Sequence, residues 1–398
     1  MVLRVRDSRR PSEPAPASTG EGSHLNTPRN RSVGALRAGL TLARGPRKTL
    51  RVAIALVTAA LLSTSCSLVG GEDDDGSDDG AQEVVLVTHE SFVLPDELVA
   101  KFEDESGYDL TIKAAGDAGA LTNKLVLTKD DPTGDAVFGI DNTFASRALD
   151  EGVLEKVDAV RASGAKYFDL AGDGADYLVP VDTGSVCMNI DTTWFADHGV
   201  TPPATLEDLT KPDYRDLLVL PGATTSSPGL AFLLTTIAAF GVDGWQDYWT
   251  DLLANGAKLT AGWSDAYEVD FTQGGGGGDR PIVLSYDSSP AFTIDDAGES
   301  TTKALLETCF QQVEYAGVLA GADNPEGAKA LIDFLETTEV QEALPDAMYV
   351  FPVDANAKLP TVWADFAVRP VDPWTVDPDE IAAHRDEWLR DWSDVTSR

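Results

Sequence analysis

An α/β fold built as two lobes is what this 398-residue sequence predicts. Strand-like apolar runs alternate with helix-period segments from residue 84 to residue 139, an order that calls for right-handed crossovers and a parallel sheet. The alternation starts afresh beyond the DTG at 182–184, and the roughly 330 residues that follow the N-terminal region suffice for two separate cores.

The elements follow in order. Residues 84–87 are a short apolar run of strand type. Leu98, Val99 and Phe102 then take helical spacing within 96–106, and Gly107 supplies a stop. Tyr108, Leu110 and Ile112 alternate as in a strand, Leu121 and Leu125 suit a helix, and residues 136–139 suit a buried strand. Ligands in such sheets lie beyond the carboxyl ends of the strands, which here read THES at 88–91 and GIDN at 139–142.

In the second half, residues 217–220 are strand-like and TTSSPG at 224–229 opens an apolar helix running to about Phe240. Ser227 serves as its N-cap with Pro228 at the first helical position. Such an end is ready for an anion, although ordinary capping explains the same residues. The strand at 282–284 ends directly at Ser285 and Tyr286. Five glycines at 274–278 read as a flexible surface hairpin; no Lys-Ser/Thr follows and no helix begins there, which argues against a nucleotide loop. Residues 312–321 form a buried crossing strand and 325–337 a helix. Asp377, Pro378 and Glu380 open a C-terminal helix whose stripe of Ile381, Trp388, Trp392 and Val395 is read as packing.

The N-terminal region speaks of export. Arg47, Lys48 and Arg51 precede an apolar run at 52–62, followed by LLSTSC at 61–66. A basic segment, a short apolar segment and small residues ending in Cys describe a secretory signal, and a run of eleven residues is too short to span a bilayer, which needs about 20. Cys66 resembles the lipidated Cys of a bacterial lipobox, with Ser63 standing where Leu is usual. Residues 1–65 are therefore assigned to an over-extended start plus a lipoprotein signal. Residues 66–82, containing GGEDDDGSDDG, are assigned to a solvated tether, because like charges without apolar residues form no core and the spacing fits no EF-hand.

Charge narrows the function. Residues 1–65 hold 11 of the 30 Lys and Arg but only 3 of the 66 Asp and Glu, which leaves the remainder near −44. Nucleic acid needs a basic surface, so it is excluded as a partner. Beyond Cys66 the cysteines are Cys187 and Cys309, and in an exported chain two thiols point to one disulfide.

Two motifs carry the binding signal: GWSDAY at 262–267 and LSYDSSPAF at 284–292. They set Trp263, Tyr267, Tyr286 and Phe292 beside small hydroxyl residues at segment ends. Aromatics so placed line a surface for a flat, cationic ligand, whereas scattered core rings are the plain alternative. With ESF at 90–92, GIDN at 139–142, VPVDTG at 179–184, TSSPG at 225–229, LPDAMYVFP at 344–352 and HRDEWLRDW at 384–392, these motifs resemble the substrate-binding proteins of bacterial thiamine ABC transporters over most of residues 83–398.

That resemblance implies a type 2 periplasmic-binding-protein fold, two α/β lobes joined by crossover strands with the ligand cleft between them. It places residues 83–182 and 315–355 in one lobe, 183–314 in the other, and 356–398 as a segment and helix packing on both. It implies thiamine, or its mono- or diphosphate, as ligand. His89, Glu90, Ser91, Asp141, Asp182, Ser226, Trp263, Tyr286, Phe292 and Tyr349 become the candidate ligand residues, with Glu90 where the family often has Asp and Ser226 near the ligand's hydroxyethyl or phosphate arm. The chain departs from the family at His89, for a usual Tyr, at Phe292, for a Tyr, and at Tyr349, for a Trp. A membrane permease and its ATPase are the implied partners of a monomer anchored by Cys66 to the outer face of the cell membrane. No cofactor, metal or catalytic residue is expected. Two relatives of the fold supply alternatives: a thiaminase-I-like enzyme using Cys187 as nucleophile with Glu90 or Asp182 as base, and a ferric-iron-binding protein, whose adjacent tyrosine pair is missing because Asp287 follows Tyr286.

Overall fold

The computed structural model describes residues 82–397. Its first part runs β1 (Gln82–Thr88), α1 (Asp96–Ser106), β2 (Tyr108–Ala114), α2 (Ala118–Leu127), β3 (Ala136–Asp141), α3 (Ala145–Asp150) and β4 (Leu154–Glu155). A long strand β5 (Val179–Asp191) leads to α4 (Thr192–His198), β6 (Leu218–Pro221), α5 (Ser227–Phe240), α6 (Trp245–Ala254) and β7 (Lys258–Thr260). After a π-type turn at Asp265–Asp270 come β8 (Ile282–Tyr286), β9 (Thr302–Ala304) and β10 (Phe310–Leu319). The chain ends with α7 (Pro325–Leu335), α8 (Thr338–Met348), β11 (Phe351–Pro352), α9 (Thr361–Phe366) and α10 (Pro378–Thr396).

The strands form one mixed, curled sheet in the order β2-β1-β3-β10-β5-β8-β6-β7, with β4 on β10 and β9 and β11 on β5. Both outer parts are parallel, β1 to β2 and β3, and β6 to β7 and β8. The antiparallel pair β5 and β10 joins them. Every residue of β5 is buried, as expected of a strand covered on both faces. Register slips between Glu314 and Tyr315, which pair with Asp182 and Pro180 and so skip Val181. The cause is local: Pro180 has no N–H to give to the ladder, and a bulge absorbs the missing bond.

Alternation along β1 shows how the core is divided. Val84 and Leu86 join a cluster with Phe102, Phe138, Leu331 and Leu344, while Val87 on the opposite face joins Leu121, Ile140 and Phe144. The latter cluster continues through α5 and α6 to α10, where Trp392 meets Trp249 edge-on at 5.5 Å between ring centres. Ile381, Trp388, Trp392 and Val395 are all buried, which is the packing stripe read from the sequence. Cys187 and Cys309 form a disulfide across 122 residues, an amount of loop closure worth about 4–5 kcal/mol in the chain-entropy model.

Two local expectations need correcting. Ser226, not Ser227, caps α5: its Oγ accepts from the Gly229 N–H at 3.4 Å, and Ser227 is already helical. The glycines at 274–278 are no hairpin tip between strands but a loop laid along the π-type turn. The Gly276 N–H donates to the Glu268 carbonyl at 2.9 Å, and a Cβ on Gly274 would fall 1.6 Å from the Tyr267 carbonyl oxygen. Missing side chains here permit backbone to lie on backbone. Cys66, the signal and nearly all of the tether lie outside the described residues.

Candidate functional site

Where β5 and β10 cross, four loop-and-helix ends converge on a cleft. Its walls are His89, Ser91, Asp117 and Ala118 beyond β1 and β2, and Ser227, Pro228, Trp263 and Tyr286 beyond β6, β7 and β8. Glu314 of β10 closes the floor, with Met348 and Val350 at the end of α8. The cavity they leave is about 30 Å³, the size of one water, whereas ligand pockets of drug-sized molecules run to several hundred Å³. The two sides are in contact, so binding a flat two-ring molecule requires them to part and re-close.

Five hydrogen bonds between the two sides hold this closed state. Asp117, N-cap of α2, accepts from its own helix at the Ala118 N–H (2.6 Å), from the Ser227 N–H (3.2 Å) and from the Trp263 N–H (2.9 Å). The Ala120 N–H donates to the Thr225 carbonyl at 3.0 Å, Ser91 Oγ lies 3.1 Å from Ser264 Oγ, and the Ser227 hydroxyl donates to Asp141 at 2.5 Å. The N-terminus of α5, which the sequence offered to an anion, is thus faced by two carboxyl groups of this chain.

The rings are arranged in a bank. Trp263 stacks on Tyr267 at 5.0 Å and tilts against Tyr286 at 6.2 Å, and its indole N–H donates to Ser285 Oγ at 3.0 Å. Trp263 and Tyr286 face the cavity. Phe292 and Tyr349 stand apart from its walls: they stack on each other at 3.5 Å, Tyr349 packing against the Trp263 cluster and Phe292 against Trp363. Tyr349 sits at φ 63°, a left-handed conformation costing about 1–2 kcal/mol for a residue with a Cβ. The Ser288 hydroxyl donates to its carbonyl and fixes it there.

The polar candidates separate by depth. Glu90 is exposed, with its carboxyl directly over Gly262; burial first, then Asp117, Asp265 and Glu268, raise its pKa. His89 is 8% exposed and lies against Gly139, whose φ of 97° and missing Cβ make room: a Cβ there would meet the imidazole at 2.2 Å. His89 Nδ1 accepts from the Ser91 N–H, so the proton is on Nε2, and burial holds the ring neutral with a pKa of about 4. Asp141 is fully buried and accepts from Ser227, from the Thr143 hydroxyl and from the Thr143 and Phe144 N–H groups; burial nevertheless lifts its pKa to about 6. Asp182 is buried on β5 and Ser226 is buried as the α5 cap, and neither lines the cavity.

Asp117, Ser264, Ser285 and Glu314 were not among the sequence candidates, whereas Tyr267, grouped with the binding aromatics, stacks behind Trp263 and does not line the cavity. For Glu314 a signal existed, a lone charge inside a crossing strand whose other residues are uncharged. For Asp117 the signal was an Asp directly before a helix. Among the described residues no group of three or more His, Cys, Asp and Glu is placed to hold a metal ion, and no helix is long and apolar enough to cross a membrane.

Comparison with known proteins places this geometry. The bacterial extracellular solute-binding protein profile matches residues 97–370. The thiamine-binding periplasmic protein of Escherichia coli K12 is 29% identical over 325 residues, covering 79% of this chain and 94% of that protein. That of Brucella melitensis is 29% identical over 326 residues, covering 79% and 92%. Among solved structures, a periplasmic thiamin binding protein superposes with a TM-score of 0.69 at 27% identity, covering 83% of this chain and all of the other. A ferric binding protein from Campylobacter jejuni reaches 0.60 at 16% identity, covering 78% of this chain and 99% of the other, a likeness of fold alone. The two-lobed architecture is that of the type 2 periplasmic-binding fold, and the chain belongs to the bacterial extracellular solute-binding proteins.

Proposed function

We propose that this protein is the receptor of an ABC importer, capturing thiamine between its lobes and offering the closed form to a membrane permease driven by a cytoplasmic ATPase. One observation carries the reading: a cleft walled by the Trp263 indole and the Tyr286 ring, with the Asp117 and Glu314 carboxyl groups beside them and no Lys or Arg on its walls. A permanently cationic thiazolium suits such walls. Each aromatic face is worth about 0.5–2 kcal/mol to a desolvated cation, and a carboxylate adds a charge-assisted contact to the ring or the aminopyrimidine.

Capture without chemistry also agrees with the state of Cys187. Its sulfur is bonded to Cys309 and fully buried, and a nucleophile needs a free thiolate. Closure swings the lobes about β5 and β10, and the Asp117, Ser227 and Ser91 bonds form only when the two sides meet. The lobes are taken as 83–182 with 315–355, and 183–314, with 356–398 packed across them. Cys66 is the lipid-bearing residue that anchors a monomer to the outer face of the membrane. Titration calorimetry with thiamine tests the central claim: saturable one-to-one binding at micromolar or lower concentration is expected, and no heat with thiamine or either phosphate ends it.

A further inference from the structure

Three carboxyl groups stand in one row across adjacent strands at the floor of the cleft. Glu314 of β10 pairs directly with Asp141 of β3 on one side and with Asp182 of β5 on the other. Their exposures are 5%, 0% and 1%. Residues directly opposed in a ladder bring their side chains together, and like charges so placed repel. Burial makes the repulsion worse, because the interior screens it poorly.

The row divides by its partners. Asp141 has four donors, two hydroxyls and two backbone N–H groups, which is the environment of an ionised carboxylate even in a buried place. Glu314 has no such set. Its ion-pair neighbour among the described residues is His89 Nε2 at 3.5 Å, and that imidazole is neutral. The other titratable groups facing it are Asp182 from β5, Asp141 from β3, Asp117 ahead of α2 and Tyr286 from β8. Burial, then Asp182, holds the Glu314 carboxyl well above the usual range, and burial does the same for Asp182. Of this pair only Glu314 lines the cavity.

We propose that Glu314 is the charge receptor of the cleft and exchanges a proton for the ligand: protonated while the site is unliganded, it ionises as a fixed cation settles beside it. The proton leaves the carboxyl oxygen for solvent, the carboxylate keeps the electron pair, and the cation takes over the neutralising role. This rests on the thiamine-receptor reading above. It adds selectivity, since a neutral isostere cannot displace the proton and meets only a carboxylic acid.

Calorimetry of thiamine with the wild-type protein in phosphate and in Tris, two buffers of different protonation enthalpy, counts the protons released. Close to one per ligand is expected near pH 7, with affinity rising up to about tenfold per pH unit toward pH 8. Glu314→Gln is expected to bind more weakly, with no proton release and a flat pH dependence. Binding by wild type with no proton transferred overturns the exchange and leaves the receptor reading standing. Release that persists in Glu314→Gln overturns the assignment to Glu314. Failure of the wild type to bind any thiamine species overturns the receptor reading itself. Asp182→Asn provides a second variant: with the like-charged neighbour neutralised, the pH dependence of binding shifts to lower pH, and no shift counts against the coupled row.

Discussion

The carboxylate of Asp117 accepts the backbone N–H of Trp263 at 2.9 Å, so the residue that caps α2 on one side of the cleft also fixes the position of the principal ring on the other. A third bond, from the Ser227 N–H, ties it to the start of α5. Asp117→Asn preserves shape but turns one acceptor oxygen into a donor facing an N–H. Hydrogen bonds to charged groups are worth about 1.5–3 kcal/mol, so thiamine affinity is expected to fall about tenfold or more. Calorimetry reads this directly; affinity equal to wild type removes Asp117 from closure.

Trp263 acts through its face and its indole N–H. Trp263→Phe keeps a ring over the cleft and gives up the bond to Ser285 Oγ together with the larger face. The expected loss in thiamine affinity is about 3- to 30-fold, from the 0.5–2 kcal/mol of a cation–π contact. Trp263→Ala removes the face altogether and is expected to lose most of the affinity. Unchanged binding in both variants excludes the residue from the site.

The fold was legible where period and composition act locally. The helix at 96–106 has the predicted bounds, because Leu98 and Phe102 share a face and Gly107 takes the left-handed stop at φ 75°. The α5 cap was displaced by one residue because two serines precede Pro228, and the choice between them is made by Asp117 reaching the Ser227 N–H from 110 residues away. In the site, Trp263 and Tyr286 were found through their Gly- and Ser-rich neighbours. The charge of Glu314 within the crossing strand is visible in the sequence, but its meaning comes from register: that it faces Asp182 and Asp141 is set by the pairing of β10 with β5 and β3, and no local pattern encodes a cross-strand partner. Tyr349 and Phe292 were expected on the wall, and the stacking of one upon the other is equally invisible to sequence spacing.

The acidity of the cleft ranks the vitamers. Asp117 and Asp141 already face the N-terminus of α5, the place that would otherwise take a phosphate. Two like charges 4 Å apart near a protein surface repel by about 4 kcal/mol at an effective dielectric of 20, more than a helix N-terminus returns. Thiamine is therefore expected to bind tightest, its monophosphate less tightly and its diphosphate about tenfold or more below thiamine. Competition calorimetry at one salt concentration checks the order; a diphosphate that binds as well as thiamine overturns it.

Buried acids also set the pH at which this fold is most stable. Burial raises Asp141 and Asp287 to about 6 and Glu336 to about 7, and it holds Asp182 and Glu314 well above the usual carboxylate range. A carboxyl raised in the folded state holds a proton there that the unfolded chain has released, so unfolding frees protons and stability falls as pH rises from about 4 through these values. His89, lowered to about 4, works the other way, losing stability as pH falls below about 6.5. Five acids outweigh one imidazole, and the formal charge of −36 adds self-repulsion that acid relieves. Thermal unfolding scanned from pH 7.5 to pH 5 is thus expected to show a rising Tm. Glu336→Gln should flatten the upper part of that slope, since the Glu336 carboxyl meets the Ala162 N–H with one oxygen while the other is buried without a hydrogen-bond partner. A Tm that falls steadily on acidification across this window contradicts the assignment of protons to these groups.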